Sequence, residues 1–341
     1  MEKRVGLKDI AKALNVSVTT VSRALNDKFD INAETKARIL QKAEELNYRR
    51  NALAVSLRKN EYFTIGVVLP YIDHYFFSTV LKGIMHKAHM SNFLVIVGES
   101  GQHEKKEKEI LTQFISHCVS GVIISHANQN ILTDNLNLLR KERIPYVLVD
   151  RPSNNAADQY VKYDDVKGGY LATQHLLEQG FRRIAYIKGL DHCVISNARL
   201  EGYKMAIKEY DITLDPSLIQ ETQHIDGIKD GYDYGRQLLI KQKRPDAIFC
   251  VTDNIASGVY KAAKELGLNI PKDLGIVGYS NSIVATHLSP SLTTVEQPGR
   301  EMGEQAFDFL QNSILNNSSK LKRTFDARLI VRESSLKNNH V

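Results

Sequence analysis

The stretch LKDIAKALNVSVTTVSRALND (residues 7–27) decides the fold of the N-terminal part of the chain. Apolar residues at positions 7, 10, 11 and 14 predict one buried face of a short helix. Asn15 then interrupts the pattern with a residue that tolerates the left-handed conformation of a tight turn. Ser17 follows as an N-cap, so a second helix is expected directly after it. Two short helices joined in this way are typical of a helix-turn-helix unit.

The second helix is expected over residues 18–25, with Val21, Ala24 and Leu25 on its inner face. A third helix, opening at the N-cap residue Asn32 and extending to Leu46, would brace the first two. Together they form a predicted head of residues 1–50.

Positive charge is concentrated in this region. Residues 1–60 contain 13 Lys and Arg against 7 Asp and Glu, whereas the rest of the chain contains 32 of each sign. The whole formal net charge of +6 therefore comes from the N-terminal part. A basic head on a neutral body indicates a binder of the DNA backbone. A three-helix protein-interaction module with a solvated basic surface is the alternative explanation of the same features.

Two stretches of this module, VSVTTVSRALND and ELNYRRNALAVSL, resemble the LacI/GalR family of bacterial transcription regulators, the lactose-repressor type. In that family the start of the second helix reads base edges in the major groove. The resemblance assigns this role to Val18 and Thr19, with Arg23 assisting. The residues that it implies for DNA-backbone anchoring are Ser17, Ser22, Asn26 and Tyr48.

Residues 51–61 are interpreted as a hinge helix and linker. Leu53, Ala54 and Leu57 share one helical face, but an isolated helix of about eight residues is unstable in water, where roughly 12–15 are needed. The resemblance implies that the same segment of a second subunit packs against it in the minor groove, with Leu57 wedged between base steps. Asn51 and Ala54 complete the predicted DNA-binding set. An ordinary linker is equally compatible with this segment taken alone.

After residue 62 the pattern changes. Short apolar runs (TIGVVLP, FLVIVGE, GVIIS, YVLVD, RIAYIK, AIFCVTD and LGIVGYS) alternate with segments of helical length. This alternation predicts an α/β fold of doubly wound parallel sheets. About ten strands exceed one compact sheet of this size, so two lobes are expected in the 341-residue chain.

The resemblance extends along the body through IGVVLP, YVLVDRP, DDVKGGYLATQHLLEQG and LGIVGYSN. It implies a core of the periplasmic-binding-protein type I kind, crossed three times by the chain. The expected N-terminal lobe combines residues 62–161 with 291–324, including the strand and helix of LTTVEQPGREMGEQAFDFL. The expected C-terminal lobe combines residues 162–290 with 325–335, and residues 336–341 are expected to be a disordered tail.

Ligands of such sheets bind at the carboxyl ends of the strands. Strand-end position and the resemblance together predict the effector-binding residues Phe76, Phe77, Asp150, Arg199, Thr252, Asp253 and Ser280. Purely structural roles would explain the same residues, since the two Phe residues suit a hydrophobic core and Asp253 suits a helix cap. Many family members carry Asp where this chain has Ser280. The neutral serine is compatible with an acidic or larger saccharide as the ligand.

The sequence contains few motifs that would indicate another function. The strand-to-helix turns lack the phosphate-binding patterns GxGxxG and GxxxxGK, and Cys118, Cys193 and Cys250 lack metal-ligand spacing, so neither a cofactor nor a metal is expected. We predict reduced, inert thiols and no enzymatic activity. Without a secretory segment or a run of 18 apolar residues, a cytoplasmic protein is expected. A periplasmic solute-binding protein and a sugar- or nucleotide-handling enzyme are the rival classes.

The sequence therefore predicts a homodimeric repressor that binds a pseudo-palindromic DNA operator. A sugar-like small molecule in the cleft between the lobes would control its affinity for DNA. Release of DNA and tighter binding are both compatible with the sequence.

Overall fold

The computed structural model describes residues 5–25, 31–46, 48, 64–127, 133–152, 158–190, 193–223, 227–316 and 321–337. The chain divides into two compact units, Met1–Tyr62 and Phe63–Val341. The predicted hinge residues 51–61 lie outside the described residues. Among the described residues, no helix combines the length and the apolar character that a membrane span requires.

The N-terminal unit contains three helices, α1 (Leu7–Leu14), α2 (Val18–Leu25) and α3 (Ala33–Glu45). Asn15 has a φ of 51°, which is the left-handed conformation predicted for the turn after α1. Ser17 Oγ accepts a hydrogen bond from the backbone N–H of Thr20 at 3.0 Å. Asn32 accepts one from the N–H of Glu34 at 2.8 Å. Both predicted N-caps are therefore confirmed.

This head has a small core of its own. All three helices contribute to its buried side chains, which are Ile10, Ala11, Val21, Ala24, Ile39 and Ala43. Leu25 packs against this core from a partly buried position, so the predicted inner face of α2 is confirmed. The opposite face of α2 is left without a role in packing the head.

The larger unit contains two six-stranded sheets. The first, in the N-terminal lobe, consists of β1 (Thr64–Leu69), β2 (Leu94–Glu99), β3 (Gly121–Ile124), β4 (Tyr146–Val149), β5 (Tyr160–Tyr163) and β11 (Lys322–Phe325). Their order is β11-β5-β4-β3-β1-β2, and every pair is parallel. The central β3 is buried along its length, whereas the edge strand β2 is partly exposed. Continuous apolar runs in central strands are what parallel sheets require.

The second sheet, in the C-terminal lobe, consists of β6 (Ile184–Lys188), β7 (Ile219–Glu221), β8 (Ala247–Cys250), β9 (Gly275–Ser280), β10 (Thr293–Glu296) and β12 (Arg328–Ile330). Their order is β12-β10-β9-β8-β6-β7, and only β12 runs antiparallel to its neighbour. The predicted α/β fold with two parallel-sheet lobes is confirmed.

Nine helices of the described residues accompany the sheets. The N-terminal lobe has α4 (Tyr75–Met90), α5 (Glu104–Ser116), α6 (Thr133–Lys141) and α12 (Gly299–Asn316). The C-terminal lobe has α7 (Asp165–Glu178), α8 (Val194–Glu209), α9 (Ile228–Leu239), α10 (Asp253–Glu265) and α11 (Ile283–His287). The helices pack in pairs, α4 against α12, α7 against α8 and α9 against α10.

The chain passes between the lobes three times, but the three expected boundaries are wrong. The strand at residues 293–296 was expected to complete the N-terminal lobe, whereas β10 pairs with β9 in the C-terminal sheet. The N-terminal lobe also keeps Tyr163 and Phe325, because β5 and β11 pair through these two residues. The passages therefore follow β5, β10 and β11. A strand's sequence predicts that it is buried, but it does not identify the neighbour that buries it.

The expected disordered tail also needs correction. Leu336 and Lys337 are described, and the Lys337 ammonium lies 4.6 Å from the centroid of the Phe181 ring. A cation over an aromatic face is an attractive contact. Residues 338–341 lie outside the described residues.

Glycines allow the close approach of α7 and α8. A Cβ at Gly202 would overlap the carbonyl oxygen of Val166, and one at Gly169 would overlap that of Arg199. Helix backbones come this close only where side chains are missing on the facing surfaces. The contact therefore fixes where α8, and with it Arg199, lies relative to α7.

We predict that Gly202→Ala lowers the free energy of unfolding by about 1–3 kcal/mol, because the added methyl group must push the two helices apart. Urea unfolding followed by circular dichroism measures this change. Glu201→Ala is the matched control, since Glu201 is exposed on the same helix and should change stability by less than about 0.5 kcal/mol. Equal stabilities of the two variants would contradict the close approach.

Candidate functional site

The outer face of α2 is the first candidate site. Val18 is 40% exposed although it is apolar, and Thr19 and Arg23 are exposed beside it. The three predicted base-reading residues therefore share a solvent-facing surface that can enter a major groove.

The predicted backbone-anchoring residues have mixed positions. Ser17 is exposed, and its hydroxyl also caps α2. Ser22 and Tyr48 are partly buried, and the N–H of Tyr48 donates to the carbonyl oxygen of Ala43 at 2.8 Å. A role for these residues at DNA stays a prediction. The other predicted DNA-binding residues, Asn26, Asn51, Ala54 and Leu57, lie outside the described residues.

The second candidate site is a cavity between the two lobes of the larger unit, with about 530 Å³ of empty space that includes its opening to solvent. The residues that line it come from strand ends and helix starts of both lobes: His74, Phe76, Phe77, Asp150, Arg151, Gly189, Leu190, Cys193, Ile195, Ser196, Arg199, Val251, Thr252, Ser280 and Gln297.

Six of the seven predicted effector-binding residues line this cavity: Phe76, Phe77, Asp150, Arg199, Thr252 and Ser280. Phe76 and Phe77 begin α4, and their ring centroids are 5.2 Å apart in an edge-to-face arrangement. Both are almost fully buried, so they belong to the core and to the cavity wall at the same time. That position suits the flat apolar face of a sugar or a base.

Asp253 is the exception among the predicted effector residues, because it does not line the cavity. Its carboxylate oxygens accept hydrogen bonds from Ser282 N–H and from Thr294 Oγ1, each at 2.6 Å. The helix cap is Thr252, whose Oγ1 accepts from the N–H of Ile255. Asp253 thus connects β10 and the loop after β9 to α10, and the structure gives it a supporting position rather than a direct one.

Arg199 is held on three sides. Its Nε donates to Asp165 Oδ1 at 2.8 Å, and its Nη1 donates to the carbonyl oxygen of Val251 at 2.7 Å. The guanidinium lies 3.5 Å from the centroid of the Tyr279 ring, and the Tyr279 hydroxyl donates to the same Asp165 oxygen at 3.1 Å. The acceptor that such an arginine needs is therefore supplied by the protein, and the residue faces the cavity from a fixed position.

Asp150 lies at the end of β4 with a φ of 70°, and Ser280 lies at the end of β9 with a φ of 111°. Neither value suits an ordinary side chain, and backbone strain of this kind clusters at functional sites. Both residues line the cavity, one from each lobe. The strain therefore marks the two strand ends that face each other across the cleft.

Asp150 has an unusual charge environment. Burial raises the pKa of its carboxyl group to about 7, and the nearby Arg151 opposes this effect. Arg151 Nε lies 3.7 Å from Asp150 Oδ2, which is too far for a hydrogen bond. Burial thus disfavours the charged form of this carboxyl group.

Arg151 and several residues of the C-terminal lobe line the cavity although they are not among the predicted effector-binding residues. Arg151 Nη1 donates to the carbonyl oxygen of His126 at 2.8 Å, and Glu107 holds the same loop by accepting from Ala127 N–H at 2.8 Å. Cys193 and Ser196 line the cavity at the start of α8. Arg151 could have been predicted from the sequence, because it follows the end of a strand as Asp150 does. The loop before α8 contains no comparable sequence signal for a cavity-lining residue.

The described residues contain no group of three or more His, Cys, Asp or Glu side chains arranged to hold a metal ion. The three cysteines are free: Cys250 is buried, Cys193 is partly buried and Cys118 is exposed. Burial raises the pKa of the Cys250 thiol, which keeps it in the unreactive protonated form.

Two family descriptions and a full-length relative match this chain. Residues 6–51 match the bacterial regulatory proteins of the lacI family. Residues 173–335 match the periplasmic binding protein-like domain. The HTH-type transcriptional repressor PurR of Vibrio vulnificus (strain CMCP6) is 32% identical over 339 residues, which cover 98% of this chain and 99% of that protein.

Solved structures agree with the fold over the whole chain. The lac repressor dimer bound to operator and the anti-inducer ONPF has a TM-score of 0.85 at 25% identity, and the match covers 98% of this chain and 100% of that one. A LacI family transcriptional regulator from Enterococcus faecium with bound ribose has a TM-score of 0.72 at 30% identity, covering 81% and 100%.

A helix-turn-helix head followed by two parallel-sheet lobes with a cavity between them defines a class of DNA-binding transcription regulators. The chain belongs to the lacI family of bacterial regulatory proteins. The resemblance seen in its motifs is confirmed.

We predict that Arg199→Met lowers the free energy of unfolding by about 3–5 kcal/mol, because it leaves the buried Asp165 carboxylate without its cation. Asp165→Asn added to Arg199→Met should recover part of this loss. Urea unfolding of the four proteins of this double-mutant cycle measures the coupling. Simple additivity of the two substitutions would show that the pair does not hold the cavity wall.

Proposed function

We propose that this protein is a transcriptional repressor and that it acts as a homodimer whose affinity for a pseudo-palindromic operator is controlled by a small molecule in the interlobe cavity. The effector is a saccharide or a sugar derivative. The observation that carries this proposal is the cavity itself, which draws its lining from strand ends of both lobes. A ligand there contacts both lobes at once, so its binding energy differs between an open and a closed arrangement.

The chemistry of the cavity supports a sugar-like ligand. Phe76 and Phe77 offer an apolar surface, while Asp150, Arg199 and Thr252 offer polar groups around it. Sugars present the same combination, a weakly apolar ring face bordered by hydroxyl groups. The Enterococcus faecium regulator, which has a similar fold, contains bound ribose.

The exposed face of α2 supports operator recognition. Thr19 can hydrogen-bond several bases, Arg23 best suits guanine, and Val18 can contact a thymine methyl group. Two such heads related by a two-fold axis read two half-sites, which is why a pseudo-palindrome is proposed. The lac repressor in its operator complex is a dimer.

The proposed connection between cavity and operator is the hinge of residues 51–58. Two hinge segments form helices only when they pack against each other on DNA, because each is too short to fold alone. A change in the angle between the lobes alters the distance between the two segments, and so the free energy of helix formation. A coupling of about 1–3 kcal/mol shifts operator affinity roughly 5–150-fold.

We predict that a saccharide that raises the melting temperature of the full chain also changes its affinity for a selected DNA site by roughly 5–150-fold. A thermal-shift screen that begins with ribose, followed by DNA binding with each hit, measures both effects. Leu190→Trp fills the cavity and should abolish both. Ile283→Trp, at a side chain that is 66% exposed, is the control and should abolish neither. Saccharides that bind the protein without altering its affinity for DNA would contradict the proposal that an effector regulates DNA binding.

We predict that Leu57→Gly lowers specific operator affinity by at least about tenfold, because it removes the wedge residue and weakens the hinge helix. Fluorescence anisotropy with operator and random duplexes measures the change. Ser56→Gly is the matched control, since it adds the same backbone freedom and keeps the leucine. If both variants bind the operator like the unmodified protein, the hinge does not act in this way.

A further inference from the structure

We propose that the effector carries an anionic group, a carboxylate or a phosphate, which docks at the N-terminus of α8, flanked by Arg151 and Arg199. This inference rests on the proposed function, because it takes the interlobe cavity as the effector site. It narrows the effector from sugar-like molecules in general to acidic sugar derivatives.

The start of α8 faces the cavity, and its N-cap side chain accepts no hydrogen bond from the helix. Cys193 occupies the N-cap position without a side-chain cap, and the first turn contains no acidic residue. Cys193, Ile195 and Ser196 all line the cavity. The first N–H groups of a helix lack intrahelical acceptors and carry partial positive charge, so this 16-residue helix directs an anion-binding end at the ligand.

Neighbouring helices of the same lobe differ in this respect. Asp164 caps α7 by accepting from Lys167 N–H, and Asp165 follows in the first turn. Thr252 caps α10, and Asp253 follows. Their own side chains thus cap the helix starts that lie near Arg199 and Val251, whereas no side chain of the described residues is seen to cap α8.

Ser196 is an independent sign of a missing acceptor. The residue is 3% exposed, and its Oγ has no hydrogen-bond partner among the described residues. A buried hydroxyl without a partner costs about 1–3 kcal/mol. By contrast, Ser280 Oγ, also at the cavity, bonds to Gln297 Oε1 at 3.0 Å. An oxyanion at the start of α8 would accept from Ser196 and from the backbone together.

Arg151 adds positive charge at the same place. Its Nη2 lies 4.0 Å from Cys193 Sγ, the N-cap side chain of α8. Its Nε has no hydrogen-bond partner among the described residues, and the carboxylate of Asp150 remains 3.7 Å away. The guanidinium therefore lies against the helix start with part of its hydrogen-bonding capacity unused.

The carboxylates near this wall leave Arg151 as its main source of positive charge. Asp165 pairs with Arg199 and offsets much of its charge, whereas Asp253 is bonded to Thr294 and Ser282 away from the cavity. Burial raises the pKa of the Asp150 carboxyl group, which disfavours its charged form and weakens its repulsion of an anion. The wall presents donors from the backbone, a hydroxyl and guanidinium groups, which suits an oxyanion better than an uncharged hydroxyl.

The first test uses inorganic phosphate and sulfate as probes on the full chain, with chloride at matched ionic strength. We expect a saturable rise in melting temperature for the unmodified protein over about 1–50 mM anion. Ser196→Asp places a fixed carboxylate at the helix start and should abolish this rise. Ser217→Asp, at an exposed serine of the same lobe, has the same charge change and should keep it.

Phosphate and sulfate also stabilise proteins by exclusion from their surface, and the basic head can bind them, so only the difference between the variants counts. An equal rise in all three proteins would overturn the anion site.

The second test needs no variant and therefore does not depend on the folding of Ser196→Asp. It compares ribose with ribonate and ribose 5-phosphate, and glucose with glucuronate and glucose 6-phosphate, by calorimetric titration and by operator affinity. We expect an acidic member to bind at least about tenfold more tightly than its neutral parent. The carboxylate and phosphate arms then identify which anion fits.

The outcomes separate the two proposals. A neutral sugar that binds as tightly as its acids and changes operator affinity would overturn the anion site and leave the proposed function standing. An acid that binds selectively without changing operator affinity would support the anion site and contradict control by effector.

Discussion

The buried ion pair between Arg199 and Asp165 is the interaction on which the effector cavity depends. It joins α8 to α7, and the Tyr279 ring and the Val251 carbonyl oxygen hold the same guanidinium from β9 and the end of β8. Two charges buried in this way are stable only as a pair with further hydrogen bonds. The glycines between α7 and α8 bring the helix backbones close enough for the pair to form. Contacts within the protein alone therefore hold this wall of the cavity in place.

The contacts on the two sides of the cavity differ in length. On the C-terminal side, Arg199, Thr252 and Asp253 are all held by partners within the lobe. On the N-terminal side, Asp150 and Arg151 interact across a longer distance, and Arg151 reaches Cys193 of the other lobe. Under the proposed function, a ligand in the cavity would compete for this longer contact between Arg151 and Cys193 and not for the contacts within the C-terminal lobe.

The parts of the structure that could be predicted are those with local signals. Asn15, Ser17 and Asn32 each identify a helix end through their own backbone and side-chain chemistry, and all three predictions are confirmed. The apolar runs of the central strands were equally clear, because a strand buried on both faces must be apolar along its length. Six of the seven predicted effector-binding residues line the cavity, because the ends of parallel strands and the helix starts that follow them meet at one edge of a sheet.

The errors fall where the deciding contact is distant in sequence. The residues of Thr293–Glu296 predict a strand, but they do not indicate which lobe contains it. Only the pairing of this strand with β9 assigns it to the C-terminal sheet. Asp253 follows a strand end like the true lining residues, yet Thr294 and Ser282 bind its carboxylate from elsewhere in the chain. Ser196 went unnoticed for the converse reason, since what distinguishes it is a partner that the fold does not supply. A sequence identifies the groups that can bind, and only the folded chain shows which of them still lack a partner.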